Sequence, residues 1–144
     1  MKKVFVDTNV MIDLLAHRHP FYEDAAKLFS LADMKLCSIV VASFSFATCA
    51  YVMRKVGIDV LKGILCDFSS LVEIAGLSKD VVLRSISVDC FFEDIEDAMQ
   101  QFSAVDAGCD VIVTRNKDDF ENSVIQVMTP AEFICNFGKP TDGK

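Results

Sequence analysis

The sequence predicts an α/β fold with a central, mostly parallel sheet and helices on both of its faces. Apolar runs rich in β-branched residues alternate along the chain with amphipathic segments of helical period, and this alternation is typical of parallel strands connected by helices. The first run, residues 4–6, ends at Asp7, which places a carboxylate at the carboxyl end of a buried strand. Open α/β sheets bind their ligands at that edge.

Length and composition indicate one domain with a substantial core. The chain has 144 residues, of which 52% are hydrophobic, so we expect a single domain over residues 1–138 and a disordered tail over residues 139–144. No apolar run reaches the length of a membrane span, and Asp7 interrupts the apolar start that a signal peptide would need. We therefore expect a cytoplasmic protein with no membrane partner.

Charge and cysteine content narrow the function classes. The net charge of −7 argues against a protein that binds nucleic acid through a basic face. It does not exclude an enzyme that acts on nucleic acid through metal ions, because clustered acids need cations. The six cysteines lie mostly inside apolar runs and form no C-x-x-C pair, so we interpret them as reduced, buried side chains.

The order of the elements follows from the hydrophobic pattern. Short apolar runs predict strands at residues 4–6, 36–41, 71–75, 110–114 and 125–128. Apolar residues at helical spacing predict helices over residues 10–16, 21–32, 44–54, 59–68, 79–86, 91–107 and 131–137. Thr8 and Asn9 are suitable caps for the first helix, Gly57 ends the third, Ser78 caps the fifth, and residues 129–132 form a capping box.

The helix predicted over residues 91–107 is the second stretch that indicates a function. At about 100° per residue, its apolar side chains share one face, which we expect to be buried: Phe91, Phe92, Ile95, Ala98, Met99, Phe102 and Val105. Asp94, Asp97 and Gln101 lie on one flank of that face, whereas Glu93 and Glu96 point away from it. This bias favours a role for Asp97 or Asp94 in a crevice beside the core.

Candidate site residues come from three distant parts of the chain: Asp7, Asp97, and the turn with Asn116 and Asp119. We expect them to meet at the carboxyl edge of the sheet. Carboxylates brought together there repel one another unless a hard cation lies between them, and Mg²⁺ or Mn²⁺ prefers oxygen ligands. Such an ion activates water and stabilises the leaving oxygen of a phosphodiester, which is the chemistry of a metal-dependent nuclease.

Four segments of the chain resemble the PIN-domain proteins, the family that includes the VapC-type toxin ribonucleases: residues 4–10, 96–100, 112–120 and 129–133. The segments occur in order and span almost the whole chain. The resemblance implies a three-layer α/β/α fold with a central parallel sheet. It also implies an endoribonuclease that uses Mg²⁺ or Mn²⁺ on an RNA substrate, often forms a homodimer and is often inhibited by an antitoxin protein.

The resemblance also implies roles for individual residues. Asp7 matches the family's first metal-binding aspartate and Asp97 the aspartate of the late helix, so both are expected to bind the metal. Asn116 stands where many members have a further aspartate. Asp119, one turn on, is expected to support the metal or a water molecule, and Asn9 to provide a supporting hydrogen bond.

One position departs from the family's pattern. Members usually have a glutamate on the helix after the second strand, and the alignment puts Thr48 there. Either Asp94 takes the place of that acid, or the site binds metal through fewer acids, or the activity is lost. In the last case the chain would be a PIN-like module that binds RNA or protein without cutting.

Two other acid-rich α/β classes fit the sequence less well. Phosphatases of the haloacid dehalogenase type need a second aspartate two residues after the first, where this chain has Asn9. Phospho-receiver domains need paired acids after the first strand and a central acceptor aspartate, but the third predicted strand, residues 71–75, ends without one.

Overall fold

A five-stranded, all-parallel sheet forms the centre of the protein, in a computed structural model that describes residues 1–137. The strands are β1 (Lys3–Val6), β2 (Ser38–Ala42), β3 (Glu73–Ala75), β4 (Val111–Val113) and β5 (Gln126–Met128). Their order across the sheet is β3-β2-β1-β4-β5, so β1 is central. All five strands predicted from the sequence are confirmed, whereas the tail predicted over residues 139–144 lies outside the described residues.

Side chains of the central strand alternate between two cores, one on each face of the sheet. Val4 and Val6 lie in one core and Phe5 in the other, and all three are fully buried. β1 is also hydrogen-bonded to β2 on one side and to β4 on the other. Because both faces and both edges of β1 are covered, the sheet fixes the position of the next residue, Asp7.

Seven α-helices cover the sheet in residues 1–137: α1 (Thr8–Leu15), α2 (Tyr22–Asp33), α3 (Ser43–Val52), α4 (Ile58–Ser69), α5 (Lys79–Ser85), α6 (Ile95–Asp106) and α7 (Pro130–Asn136). The first four and α7 pack on the face that contains Val4 and Val6 and bury side chains such as Met11 and Phe68 there. α6 covers the opposite face, beside Phe5, and α5 packs against α6. The expected three-layer α/β/α architecture is confirmed.

None of the helices in residues 1–137 has both the length and the apolarity needed to cross a bilayer.

Not all of the cysteines are buried, although the sequence predicted that all six would be. All six thiols are free. Cys37, Cys49 and Cys109 are buried as expected, but Cys66 and Cys135 are exposed.

Three helix boundaries follow the predicted capping signals. Gly57 adopts a φ of 96° after the short 3-10 helix Arg54–Val56, a conformation that favours glycine. The Ser78 hydroxyl accepts a hydrogen bond from a backbone N–H in the first turn of α5. Thr129 and Glu132 form the reciprocal capping box of α7.

The predicted caps at Thr8 and Asn9 are wrong. α1 begins at Thr8 itself, and the preceding Asp7 makes no side-chain capping bond. The Thr8 hydroxyl lies 2.6 Å from Ser45 Oγ and 3.3 Å from Gln100 Oε1. It therefore joins α1 to α3 and α6 and is not available to the first turn of its own helix.

The buried face of α6 also differs from the predicted face. The helix begins at Ile95, and Asp94 caps it by accepting a hydrogen bond from the Asp97 N–H at 3.0 Å. Phe91 and Ile95, both expected to be buried, are 79% and 53% exposed. The most apolar side is not the buried side, because hydrogen bonds stabilise Gln100 inside the protein. The buried residues of α6 are Ala98, Gln100, Gln101, Ser103 and Ala104.

Asp13 is the buried centre of an ion-pair network beside α1. Its side chain is 1% exposed and lies 2.9 Å from Arg18 Nε and 2.6 Å from Arg115 Nε. Arg115 also stacks over the ring of Phe21, with its guanidinium carbon 3.8 Å from the ring centroid. Arg18 donates to the backbone oxygen and Oδ1 of Asn9, one turn before Asp13. The network ties α1 to the loops that follow α1 and β4.

We expect Asp13→Ala to lower the free energy of unfolding by about 3 kcal/mol, because it leaves two guanidinium groups without their buried partner. Urea denaturation measures this loss. Glu73→Gln is the control, since it breaks the exposed Lys3–Glu73 pair, in which Nζ and Oε2 are 3.2 Å apart, and such a pair contributes at most about 1 kcal/mol. Equal losses in the two variants would contradict the prediction.

Candidate active site

Asp7 lies at the carboxyl edge of the sheet, directly after the central strand. Its N–H donates to the backbone oxygen of Val113 at 3.0 Å, and the Thr114 N–H donates to the backbone oxygen of Met128 at 2.9 Å. The hydrogen bonding of the sheet therefore continues into Asp7 and Thr114 and sets them side by side. Asp7 is only 5% exposed, so its carboxylate has few positions open to it.

Both carboxylate oxygens of Asp7 accept a hydrogen bond. Gln100 Nε2 donates to Oδ1 at 2.9 Å, and Thr114 Oγ1 donates to Oδ2 at 2.8 Å. Burial is the largest influence and raises the pKa of Asp7, while these two bonds and the backbone N–H groups of Thr8 and Asn9 lower it without cancelling the rise. The carboxylate is thus held in place in surroundings where a cation would favour its charged form.

Asp97, near the start of α6, interacts electrostatically with four other acids: Asp7, Asp94, Glu96 and Asp119. Burial raises the pKa of Asp97 to about 7, and the charges of Asp94, Asp7, Asp119 and Glu96 add to the rise. Burial and the charges of Asp94 and Asp7 also raise the pKa of Glu96. Because such repulsion acts between neighbouring groups, these values reflect one cluster of carboxylates.

Glu96 faces this cluster, although the helical spacing predicted that it would point away. Its Oε2 accepts a hydrogen bond from Thr48 Oγ1 at 3.4 Å, a long distance for a hydroxyl donor. Thr48 lies on α3, where the resemblance to the PIN-domain proteins predicts a glutamate. The sequence signal for the position of Glu96 is the helix cap at Asp94. A helix that starts after Asp94 has Glu96 in its first turn.

The turn after β4 brings Asp119 toward the site and uses the backbone of Asn116. The Asn116 N–H donates to Thr114 Oγ1 at 3.1 Å, and its backbone oxygen accepts from the Asp119 N–H at 3.0 Å. Both side chains are exposed. Asn9 approaches Asp7 through its backbone N–H, whereas its Oδ1 accepts from an arginine, Arg18 Nη2, at 3.3 Å.

The two side chains that bond directly to Asp7, Gln100 and Thr114, were not among the residues predicted from the sequence. The helical spacing predicted Gln101 on the flank of the site. The buried face of α6 differs from the predicted face, so Gln100 contacts Asp7 instead. The signal for Thr114 was present in the sequence. It follows β4 as Asp7 follows β1, and neighbouring parallel strands end at the same edge of the sheet.

An acidic cleft of about 360 Å³ opens between the start of α6 and the turn after β4. Phe92 and Asn122 contribute to its wall. The remaining lining residues are all carboxylates: Glu93, Asp94, Asp97, Asp118, Asp119 and Glu121. Asp94, Asp97 and Asp119 belong both to this wall and to the cluster around Asp7, so the cleft leads to the cluster.

The donor set fits a hard cation such as Mg²⁺ or Mn²⁺. In residues 1–137 no lysine, arginine or histidine forms an ion pair with any of the five clustered carboxylates. In the same part of the chain, no group of three or more His, Cys, Asp or Glu side chains is arranged so that it could hold a metal ion. Mg²⁺ does not need one, because it is usually held by one or two carboxylates and keeps several waters. Asp7 and Asp97 are the two residues that could hold such an ion.

The sequence of this chain is similar to a known domain family and to a known protein. A family model described as the PIN domain matches residues 3–118. Ribonuclease VapC1 of Aquifex aeolicus (strain VF5) is 27% identical to the chain over 135 residues, which cover 92% of this chain and 93% of the relative.

Solved structures share the fold at low sequence identity. FitAB bound to a DNA fragment has a TM-score of 0.67 at 15% identity and covers 88% of this chain and 94% of the matched chain. VapBC2 from Rickettsia felis bound to a promoter fragment has a TM-score of 0.64 at 18% identity, with coverages of 88% and 98%. A toxin–antitoxin complex from Klebsiella pneumoniae has a TM-score of 0.65 at 20% identity, with coverages of 88% and 97%. The match of the family model over most of the chain shows that this protein belongs to the PIN domain family.

Proposed function

We propose that this protein is a metal-dependent endoribonuclease that hydrolyses RNA phosphodiester bonds, as the toxin of a toxin–antitoxin pair. Its similarity to Ribonuclease VapC1 along almost the whole chain supports the activity. The observation that carries the proposal is the buried carboxylate of Asp7 at the carboxyl edge of the sheet, whose charge contributes to the raised pKa of Asp97. These two residues form a site for a hard cation at the end of an open cleft.

Each acid of the site has a distinct part in the proposed reaction. Asp7 and Asp97 would hold Mg²⁺ or Mn²⁺, and a bound ion of this kind acts as a Lewis acid and activates water for attack on a phosphodiester. Asp97 becomes a ligand only after it gives up the proton that its raised pKa favours. Asp119 is exposed on the wall of the cleft, where it would support the metal or a water molecule, and Asn116 holds the turn that carries it.

Glu96 is our candidate for the acid that position 48 lacks. Its carboxylate reaches the Thr48 hydroxyl from α6 and senses the charges of Asp7 and Asp94. Asp94 is the less suitable replacement, because its Oδ1 accepts the capping bond from the Asp97 N–H. In this proposal Asp94 caps α6 and adds negative charge to the site, and the activity survives the absence of an acid on α3.

The proposed partners are an RNA substrate, an antitoxin protein and a second copy of the chain in a homodimer, in the cytoplasm. The structure from Klebsiella pneumoniae supports an antitoxin, because it is a toxin–antitoxin complex. The net charge of −7 favours a partner with a basic surface. We propose that residues 1–138 act as one domain in these interactions.

Thr48 also favours a second candidate function, a PIN-like module that binds RNA or protein without cutting it. The site would then lack a charge needed to hold a cation firmly. The two candidates differ in one property, since the second requires neither Mn²⁺ binding nor cleavage.

We expect Asp7→Asn and Asp97→Asn each to abolish cleavage of a labelled RNA oligonucleotide in Mn²⁺ and to weaken Mn²⁺ binding measured by calorimetry. Both substitutions keep the shape of the side chain and remove the charge of a metal ligand. Glu73→Gln removes one charge from the amino end of the sheet and serves as the control, with binding and cleavage unchanged. Cleavage at the original rate by either aspartate variant would disprove the assignment.

Metal-free protein should lose stability as the pH rises from about 4 to 7. The folded state holds the Asp97 proton up to about pH 7, whereas the pKa of an unperturbed aspartate is 3.8. In this window the folded state therefore binds more protons than the unfolded state, and the free energy of unfolding falls as the pH rises. Thermal unfolding in EDTA at pH 5 and pH 8 measures the difference. Asp97→Asn should reduce the difference, and an unchanged difference in that variant would contradict the pKa assignment.

We expect Glu96→Gln to weaken Mn²⁺ binding tenfold or more, which is the scale of losses near metal sites. Adding Thr48→Glu to this variant should restore the affinity to within a few-fold, because it returns a carboxylate to the same side of the cluster from α3. Calorimetry on the single and double variants tests whether a carboxylate at position 48 replaces the one at position 96. Glu73→Gln is the charge-matched control. A double variant that binds no better than Glu96→Gln would show that the two positions are not equivalent.

A further inference from the structure

We infer that Gln100 is a positioning residue of the active site, which orients Asp7 and fixes its separation from Asp97. The inference rests on the proposed function, since Asp7 and Asp97 are the proposed metal ligands. Gln100 is 1% exposed and joins α6 to the end of the central strand. It does not line the cleft, so it acts on the reaction through the carboxylate that it holds.

The hydrogen bonds of Gln100 determine which way its amide points. Oε1 accepts from the Thr8 backbone N–H at 3.1 Å, and a backbone N–H can only donate. The amide oxygen must therefore face Thr8, and the NH₂ group must face Asp7, where Nε2 lies 2.9 Å from Oδ1. A flipped amide would set two donors against each other at Thr8 and two acceptors against each other at Asp7.

The amide is also fixed from the side of α3. The Thr8 hydroxyl donates to Gln100 Oε1 at 3.3 Å, which uses its only hydrogen. The Ser45 hydroxyl, 2.6 Å from Thr8 Oγ1, is then the donor in the contact between them. A chain of hydrogen bonds thus runs from α3 through Thr8 and Gln100 to Asp7, and each member orients the next.

Gln100 follows Asp97 by three residues on α6, so the two side chains lie on the same side of the helix, one turn apart. One of them holds Asp7, and the other is the second proposed ligand. α6 therefore sets the distance between the two carboxylates through its own rigid backbone. If the bond from Gln100 is lost, Asp7 keeps one side-chain hydrogen bond, from Thr114 on the neighbouring strand.

The cost of burying an amide also supports this role. A buried amide is stabilising only while its hydrogen bonds are made, and an apolar side chain of similar size usually packs as well. Gln100 supplies what an apolar residue lacks, a donor aimed at Asp7.

Gln100→Met tests the inference, because methionine matches the length of the side chain and cannot donate. Gln101→Met is the matched control: Gln101 is equally buried on the same helix, and its Nε2 has no hydrogen-bond partner among residues 1–137. We expect Mn²⁺ affinity, measured by calorimetry, to fall tenfold or more in the first variant and to stay within twofold in the second. With a labelled RNA oligonucleotide, kcat should fall in Gln100→Met while KM stays within twofold.

Thermal unfolding of the same samples separates positioning from folding. A purely structural role for Gln100 would lower the melting temperature and leave the Mn²⁺ affinity of the folded protein unchanged, and that result would overturn the inference. If Gln100→Met does not fold, Gln100→Asn replaces it, because the shorter amide stays polar but does not reach Asp7. The same loss of Mn²⁺ affinity is expected for Gln100→Asn.

Asp7→Asn distinguishes the failure of this inference from the failure of the proposed function. If Asp7→Asn loses Mn²⁺ binding and cleavage while both Gln100 variants keep them, the inference is wrong and the proposed function stands. If Asp7→Asn itself keeps both, the proposed function fails, and the role of Gln100 fails with it.

Discussion

The structure depends on one constraint, a carboxylate buried at the end of the central strand. An ionised carboxylate without partners costs several kcal/mol to bury, and Asp7 is 5% exposed. Its partners come from different layers: Thr114 from the neighbouring strand and Gln100 from α6, which is itself tied through Thr8 to α3. The pairing of β1 with β4 and the packing of α6 must therefore both be correct before Asp7 is satisfied.

The charges around Asp7 explain why this constraint favours a cation at the site. Arginine side chains are present beside α1, but Arg18 and Arg115 are both paired with Asp13. The acids of the cluster are left without basic partners in the described part of the chain, and burial, together with their repulsion, raises the pKa of Asp97 to about 7. A divalent cation offsets this repulsion, so the same feature that destabilises the metal-free protein favours metal binding.

The sequence predicts the fold better than it predicts the site. The five strands and the three layers follow from hydrophobic runs and helical periods, because burial of apolar side chains determines both. The contacts of the site depend on the phase of one helix, and that phase does not follow apolarity: α6 buries Gln100 and exposes Ile95. For this reason the helical spacing predicted Gln101 at the site, where the structure has Gln100. The same spacing predicted that Glu96 points away from the acidic cluster, whereas Glu96 belongs to that cluster. Asp7, Asp97 and Asp119 could be found because strand ends and helix starts are marked in the sequence.

The most direct test of the account is a crystal structure of the protein soaked in Mn²⁺, with anomalous diffraction recorded to locate the ion. The account predicts one strong peak between Asp7 and Asp97, about 2.1 Å from an oxygen of each carboxylate, with Gln100 still bonded to Asp7. A peak only among the outer acids of the cleft, such as Asp118 and Glu121, would contradict it. The absence of any peak at millimolar Mn²⁺ would contradict it as well and would favour a PIN-like module that does not cut RNA.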